Sequence, residues 1–155
     1  MEDKASLPLS GKIKSDLKQA QLSRDEIKVS TLRLFLSEIK NKEIESGETL
    51  SDEDIVSVCQ REIKKRKEAA AAFRSGGRED SALKEEAELK ILEGYLPAQI
   101  TNEELTKIVS DIITELGASG MVDMGKVIGA VMGKVKGKAD GATVSAVVKD
   151  KLTNV

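Results

Sequence analysis

The chain of 155 residues has no histidine, no tryptophan and only one cysteine. Histidine is the usual general base of catalytic triads and a frequent ligand of catalytic zinc, so its absence argues against both kinds of site. The one thiol, Cys59, excludes an internal disulfide. Because Cys59 shares a helical stripe with Ile55 and Val58, we expect it to be a core residue rather than a nucleophile.

Aromatic residues make up only 2% of the chain, and Phe35, Phe73 and Tyr95 are the whole supply. Folds that stack RNA bases on an exposed sheet use several aromatic rings for this purpose. The sequence therefore argues against a base-stacking platform, and we expect any nucleic acid to be held by its backbone and its shape.

An apolar leader and a membrane span are also missing. Residues 1–8 lack the apolar core of a signal peptide, which predicts a cytoplasmic protein. No apolar run approaches the roughly 20 residues that a membrane helix needs, so we expect no membrane partner. The formal net charge of −2 and the pI of about 5.4 argue against strong, indiscriminate binding of polyanions.

Nearly every segment has the apolar spacing of an amphipathic helix, and strand signals are absent, so the sequence predicts an all-α fold. Ser23 and Glu26 have the spacing of a capping box, which predicts the start of a second helix that ends near Gly47. The first helix is predicted after Pro8, on the apolar residues Leu9, Ile13 and Leu17.

The middle of the chain predicts a long antiparallel helical hairpin. Ser51 is the expected N-cap of a third helix that runs to about Phe73, and Gly76-Gly77 is expected to end it. A fourth helix is predicted from Glu79 to Tyr95. Its expected apolar stripe is Leu83, Ala87 and Ile91.

A change of composition at Pro97 predicts two helical modules, residues 1–97 and residues 98–155. The second module should be a three-helix bundle. Thr101 and Glu104 form a capping box for its first helix, which Gly117 ends, and Asp123 is expected to cap the second. Asp140 is expected to cap the third, on which lie Val144, Val147, Val148 and Leu152.

The segment Asp123–Gly141 spaces five glycines four residues apart: Gly125, Gly129, Gly133, Gly137 and Gly141. Each glycine costs about 1 kcal/mol relative to alanine inside a helix, so a function should require this ridge. Helical geometry predicts that the ridge faces away from the core. The segment also holds four lysines without an intervening acid: Lys126, Lys134, Lys136 and Lys138.

Two interpretations of the ridge stay open, and they are compatible. An exposed backbone beside ammonium groups suits the close approach of a phosphate chain. Small residues also allow a neighbouring helix to approach closely. A second basic patch has the same ambiguity, because a long helix often carries such charges merely as its solvated face. This patch comprises Arg61, Lys64, Lys65 and Lys67, with Arg66 among them.

Several segments also resemble the YqeY family over nearly the whole chain. The matching segments are KEEAELKIL at Lys84–Leu92, YLPAQITNEEL at Tyr95–Leu105, DMGKVIGAVM at Asp123–Met132 and KVKGKADG at Lys134–Gly141. That family is similar to the C-terminal tail of the B subunit of the tRNA-dependent amidotransferase. The resemblance implies an all-helical, two-part protein that holds the elbow region of a tRNA.

Carried over residue by residue, the tail's tRNA-contacting segment falls on Gly125, Lys126, Gly129, Lys134, Lys136, Gly137, Lys138 and Gly141. Gly133, a further ridge residue, stands where the family often has proline, and Lys138 stands where arginine is common. Lysine keeps the charge of arginine but loses its bidentate fork on a phosphate.

The chemistry of amide transfer is not visible in the sequence. We find no phosphate-binding loop, no nucleophile with a base and no metal-ligand cluster, so we expect no catalytic residues, no metal and no cofactor. The leading hypothesis is therefore an accessory module that binds tRNA or other structured RNA.

Two alternatives remain. In one, the chain is a free-standing component of glutamine-dependent amide transfer on mischarged tRNA, the carbon-nitrogen ligase activity with glutamine as amido-N-donor to which the resemblance points. Its partners would then be amidotransferase subunits or an aminoacyl-tRNA synthetase. In the other, the hairpin from Ser51 to Tyr95 makes the chain a helical protein-docking scaffold.

Overall fold

The structure, a computed structural model, describes residues 7–154, and within that range it contains α-helices, one 3₁₀ turn and no strand. The all-α prediction is confirmed. Residues 1–6, on which the expectation about a leader segment largely rests, lie outside the described residues. The helices are α1 (Leu9–Ser23), α2 (Glu26–Ser46), α3 (Asp52–Ser75), α4 (Glu79–Glu93), α5 (Asn102–Leu116), α6 (Met124–Val135) and α7 (Gly141–Thr153).

The chain divides into two compact units, Met1–Leu96 and Pro97–Val155. Helices α1 to α4 belong to the first unit and α5 to α7 to the second. Each unit has a separate cluster of buried apolar side chains.

In the first unit, α3 and α4 form an antiparallel hairpin that turns at Gly76-Gly77, as the sequence predicts. The N-cap Ser51 accepts a hydrogen bond from the backbone N–H of Asp54 and opens α3 with a capping box. Near the turn, the Arg74 guanidinium bonds Glu79 on the opposite helix, with Nε 3.0 Å from Oε2. The hairpin therefore packs along its length, which gives the first unit its longest helix pair.

Cys59 is a core residue of this unit, as predicted. Its side chain is fully buried, and the thiol donates a hydrogen bond to the carbonyl oxygen of Leu92, 3.2 Å away. Burial, with a smaller contribution from the nearby carboxylate of Glu62, raises the pKa of the thiol to about 12. Because the thiolate is the reactive form, this cysteine is not suited to nucleophilic chemistry.

The second unit is a three-helix bundle around a core of mostly β-branched residues. The capping box of Thr101 and Glu104 opens α5, and Gly117 ends it in a left-handed conformation, both as predicted. The N-cap Asp140 accepts a hydrogen bond from the backbone N–H of Thr143 and opens α7. The fully buried members of the core are Leu105, Val109, Val127, Val131, Val135, Val144 and Val148.

Three predictions about local structure are wrong. Ser23 does not cap α2, because α1 continues through Ser23 and its hydroxyl donates to the carbonyl oxygen of Ala20. Asp25 is the N-cap instead, and its carboxylate accepts from the backbone N–H of Lys28. A carboxylate placed two residues later therefore takes the place that the sequence had assigned to a serine.

The second error concerns α4. Its buried positions are Ala82, Glu88 and Leu92, whereas Leu83 is 52% exposed. The packing face is thus rotated from the stripe expected from spacing alone, because Glu88 turns inward to pair with Arg66 of α3.

The third error concerns Asp123, which stands at the N-cap position of α6 without capping it. Its carboxylate instead accepts a hydrogen bond from the backbone N–H of Ser119, 3.1 Å away. A 3₁₀ turn, Met121–Asp123, precedes α6 and occupies the place where an extended N-cap residue would stand.

Candidate nucleic-acid interface

The exposed face of α6 carries almost no side-chain bulk. Val127, Val131 and Val135 point to the core and are at most 1% exposed. The exposed positions of the helix are three glycines, one alanine and two lysines: Gly125, Lys126, Gly129, Ala130, Gly133 and Lys134. This face is about 18 Å long for 12 residues. Only Lys126 and Lys134 have side chains larger than a methyl group on it.

The prediction that the ridge faces away from the core is confirmed for its helical part. A Cβ atom added at Gly125, Gly129 or Gly133 would have no heavy atom within 4 Å. These glycines are therefore not sites of close helix approach within their own bundle. The packing interpretation of the ridge finds no support among the atoms that surround these three positions.

The ridge is shorter than the sequence predicts. Helix α6 ends at Val135, so Gly137 and Gly141 do not lie on it. Gly137 is buried in the following turn with a φ of 84°, a left-handed conformation that favours glycine, and Gly141 is the first residue of α7. The four-residue spacing is therefore a helical repeat only over the first three glycines.

The turn between α6 and α7 carries Lys136 and Lys138, and backbone hydrogen bonds fix it. The N–H of Lys138 donates to the carbonyl oxygen of Val135 at 2.9 Å. The carbonyl oxygen of Lys138 accepts from the N–H of Ile100 at 3.0 Å, and that of Gly137 accepts from Nε2 of Gln99 at 3.1 Å. Both exposed lysines therefore project from an anchored turn.

The structure places three of the four predicted cations at the C-terminal end of α6 and Lys126 near its start. Lys134 lies in the last turn of the helix, Lys136 is its C-cap residue, and Lys138 follows two residues later. Among the described residues, no acidic side chain lies within 4 Å of the ammonium groups of Lys126, Lys134 or Lys138. Lysines near a helix C-terminus also interact favourably with the helix dipole, which is a stabilising role independent of any ligand.

The second basic patch is divided among different roles. Arg66 turns inward between α3 and α4, where its guanidinium pairs with Glu85 at 3.3 Å and with Glu88. Lys65 pairs with Glu62 at 3.0 Å. The remaining members, Arg61, Lys64 and Lys67, are exposed on α3.

Arg61 and Lys65 also line a shallow depression that contains acidic side chains from α2, among them Glu38 and Glu45. A hydrogen bond from Lys42 lowers the pKa of the exposed Glu45 carboxyl, which keeps it charged. The surface around the second patch is therefore of mixed sign.

The sequence did not predict a depression of about 740 Å³ beside Lys138. Its wall is formed by the segment that precedes α5, by one side of α5 and by Lys138. No sequence signal could have revealed it, because Lys138 lies about 30 residues from Lys107 and Asp111 and only the folded bundle brings them to one rim. Its lining residues are Ala98, Gln99, Ile100, Thr101, Glu104, Lys107, Ile108, Asp111 and Lys138.

The described part of the chain contains neither a metal-ligand cluster nor a membrane-spanning helix. Residues 7–154 contain no group of three or more cysteine, aspartate or glutamate side chains placed to hold a metal ion. None of the helices in that range has the length and apolarity needed to cross a bilayer.

Comparison with known proteins identifies relatives over most of the chain. Residues 10–152 match the family model described as Yqey-like protein. The chain is 36% identical over 119 residues to "Altered inheritance of mitochondria protein 41, mitochondrial" from Vanderwaltozyma polyspora. The aligned region covers 72% of this chain and 64% of that protein. It is 41% identical over 110 residues to the protein of the same name from Kluyveromyces lactis, with 69% of this chain and 60% of the relative covered.

The names of these relatives correct one prediction. They place the yeast proteins in mitochondria, so the expectation of a cytoplasmic protein is wrong. The reason is physical: an apolar leader is a signal for secretion only, so the test for one does not distinguish the cytoplasm from an organelle that is reached by another route.

The matches cover only part of the length of these relatives. The chain spans about three fifths of the length of the curated relatives that it matches. The family model, by contrast, covers nearly all of this chain, and it does so across both compact units. The chain belongs to the Yqey-like protein family.

Proposed function

We propose that the chain is a binding module for structured RNA, most specifically tRNA, and that it holds the sugar-phosphate backbone on the exposed face of α6 and the turn that follows. The observation that carries the proposal is the composition of that face: between Met124 and Val135, every exposed residue is glycine, alanine or lysine. We call this surface, from Gly125 to Lys138, the Gly-Lys face.

The geometry suits a phosphate chain for two reasons. Missing side chains let a bulky polyanion approach the helix closely, while Lys126 and Lys134 stand about 12 Å apart along the axis, eight residues at 1.5 Å each. Lys136 and Lys138 then extend the positive charge beyond the helix end. Such contacts position an RNA without reading its sequence.

The N-terminus of α7 adds to this field. Its positive dipole end lies in the same turn as Lys136 and Lys138, and Gly141 at its first position has open space where a side chain would be. The carboxylate of Asp140 already accepts from Thr143, so part of the dipole is compensated. We therefore assign the main attraction to the lysines.

The family supports the proposal through resemblance. The family resembles the amidotransferase tail, and the tRNA-contacting positions of that tail correspond to residues of this chain. Five of these residues are exposed in the fold: Gly125, Lys126, Gly129, Lys134 and Lys138. Gly137 differs, because it is buried and serves the turn rather than the surface.

Charge reversal tests the proposal. We expect Lys134→Glu, Lys136→Glu and Lys138→Glu together to abolish binding of bulk tRNA in a filter-binding assay at low salt, because the backbone attraction depends on these cations. The matched control changes three exposed lysines of the first unit by the same charge: Lys18→Glu, Lys40→Glu and Lys84→Glu. This control should retain most of the affinity.

The salt dependence gives a second readout of the same experiment. With about four lysine contacts, the log-log slope of affinity against salt should be about −3 to −4 for the unmodified chain. Equal affinity of the unmodified chain and the triple variant would show that the RNA lies elsewhere or does not bind. An equal loss in both triple variants would show that only net charge matters.

The link to glutamine-dependent amide transfer stays a prediction, as do amidotransferase subunits or an aminoacyl-tRNA synthetase as protein partners. The names of the yeast relatives mention neither RNA nor amide transfer. The docking role of the α3–α4 hairpin is likewise a prediction.

A further inference from the structure

The depression beside Lys138 has the features of a slot for one unstacked nucleotide. It measures about 740 Å³ and is open to solvent rather than enclosed, so a ligand would lie against its lining with one side exposed. It lies wholly within the second unit and shares Lys138 with the Gly-Lys face. An RNA held on that face would therefore pass the rim of the depression.

Its lining offers three distinct chemical surfaces. Ile100 and Ile108 are partly buried against the bundle core and present apolar side chains to the depression. Lys138 and Lys107 contribute ammonium groups to the lining. The carboxylate of Asp111 contributes hydrogen-bond acceptors. These three surfaces match the three parts of a nucleotide, which are a flat apolar base, a phosphate and polar base edges.

The side chains of Asp111 and Lys107 are both available to a ligand. They stand four residues apart on α5, both are exposed, and they form no ion pair with each other within 4 Å. Glu104, the other acid in the lining, already accepts from the N–H of Thr101 as part of the capping box. Asp111 therefore keeps its acceptors for another group.

We propose that this depression holds a single splayed-out nucleotide of the bound RNA, with its phosphate on Lys138, its base against Ile100 and Ile108, and its polar edge on Asp111. This rests on the proposed function, since the Gly-Lys face brings the RNA to the slot. Isoleucine takes the place of the aromatic ring that other RNA-binding modules use.

The acceptor chemistry of Asp111 selects among bases. Guanine presents an imino N–H and an amino group side by side, which match the two oxygens of a carboxylate as a bidentate pair. Adenine and cytosine present an amino group, and uracil presents only an imino N–H. The slot therefore prefers guanine and disfavours uracil.

The substitution Asp111→Asn distinguishes two roles of this carboxylate, because they predict changes of tRNA affinity in opposite directions. If Asp111 only repels RNA, its neutralisation strengthens tRNA binding. If it accepts from a base edge, the loss of the bidentate pair weakens binding, by about tenfold for a contact of typical strength. Glu115→Gln is the matched control, because Glu115 is an exposed acid four residues further along α5 and does not line the depression. Unchanged or tighter tRNA binding by Asp111→Asn would overturn the slot.

A titration without tRNA separates this inference from the proposed function. Guanosine 5′-monophosphate added to the full chain should shift the NMR signals of the Ile100 and Ile108 methyl groups, with smaller shifts from uridine 5′-monophosphate and none from inorganic phosphate. Equal shifts from all three probes, or none, would overturn the slot even if tRNA binds the Gly-Lys face. Failure of tRNA to bind, with guanosine monophosphate still entering the depression, would overturn the proposed function alone.

Discussion

Lys136 is one of two residues other than glycine that have a positive φ in the described part of the chain, and Arg24 is the other. Its φ of 41° and ψ of 60° place it in the left-handed region, which costs a side chain with a Cβ about 1–2 kcal/mol. Backbone strain of this kind persists where the surrounding structure or a function requires the residue. At Lys136, the ammonium group on the Gly-Lys face is the function that we assign.

The substitution Lys136→Gly separates stability from binding. Glycine adopts the left-handed conformation without a Cβ clash, so the free energy of unfolding should rise by about 1 kcal/mol in chemical denaturation. The same change removes one phosphate contact, so the log-log salt slope of tRNA binding should become less steep by about 1.

Arg24→Gly is the matched control, because Arg24 has a φ of 59° but lies at the end of α1, in the other unit. It should stabilise the chain similarly and leave tRNA binding unchanged. If both variants bind tRNA like the unmodified chain, Lys136 contributes no contact to the RNA.

Residue roles were predictable where one local cause dominates. Cys59 was predicted to be in the core because its neighbours on the helical stripe are apolar, and burial follows from that stripe. The inward turn of Glu88 was not predictable, because it depends on Arg66, which lies 22 residues away on the facing helix. Sequence spacing on α4 contains no trace of this partner.

At the scale of the element, the composition of α6 is unfavourable for a helix because of its glycines. Three of its 12 residues are glycines, which together cost about 3 kcal/mol relative to alanine. The open space around Gly125, Gly129 and Gly133 shows that no packing contact within the bundle requires this loss. The apolar stripe that holds α6 in the bundle offsets the cost, and the exposed face remains bare.

The substitution Gly129→Ala should therefore stabilise the chain, because a methyl group fits without contact and alanine favours the helix by about 1 kcal/mol. Gly129→Gln should gain part of that stability in thermal unfolding but weaken tRNA binding by about tenfold, because the longer side chain holds the RNA backbone away from the lysines. Ala146→Gln is the control, since Ala146 is exposed on α7. Tight tRNA binding by Gly129→Gln would mean that the bare backbone is not needed.

The ends of the helices show which local signals are reliable. Ser51, Thr101 and Asp140 cap the helices that the sequence assigned to them, and each accepts a hydrogen bond from a backbone N–H of the first turn. Ser23 and Asp123 do not cap, because Ser23 lies inside α1 and the carboxylate of Asp123 accepts from the N–H of Ser119. A sequence pattern does not reveal these alternatives.

At the scale of the whole molecule, the linear part of the candidate site was predictable and its three-dimensional part was not. The Gly-Lys face occupies one short segment, from Gly125 to Lys138, and helical periodicity predicts its residues within α6 but not in the turn that follows Val135. The depression beside Lys138 combines that segment with α5 and the residues before it. Tertiary structure alone creates this combination.

The two units each have their own core, which allows their roles to be separated. Among its described residues, the second unit has a core cluster of eleven buried apolar residues, from Leu105 of α5 to Leu152 of α7, and it carries the whole Gly-Lys face. A fragment of residues 97–155 should therefore remain helical by circular dichroism. It should bind bulk tRNA with the salt slope of the full chain, because all four lysine contacts are retained.

The complementary fragment, residues 1–96, makes the test two-sided. It keeps the exposed members of the second basic patch, Arg61, Lys64 and Lys67, but none of the Gly-Lys face. Since the neighbouring surface is of mixed sign, we expect tRNA binding by this fragment to be too weak to measure at physiological salt. A helical second-unit fragment that fails to bind, alongside a first-unit fragment that binds tightly, would move the RNA-binding surface to the α3–α4 hairpin.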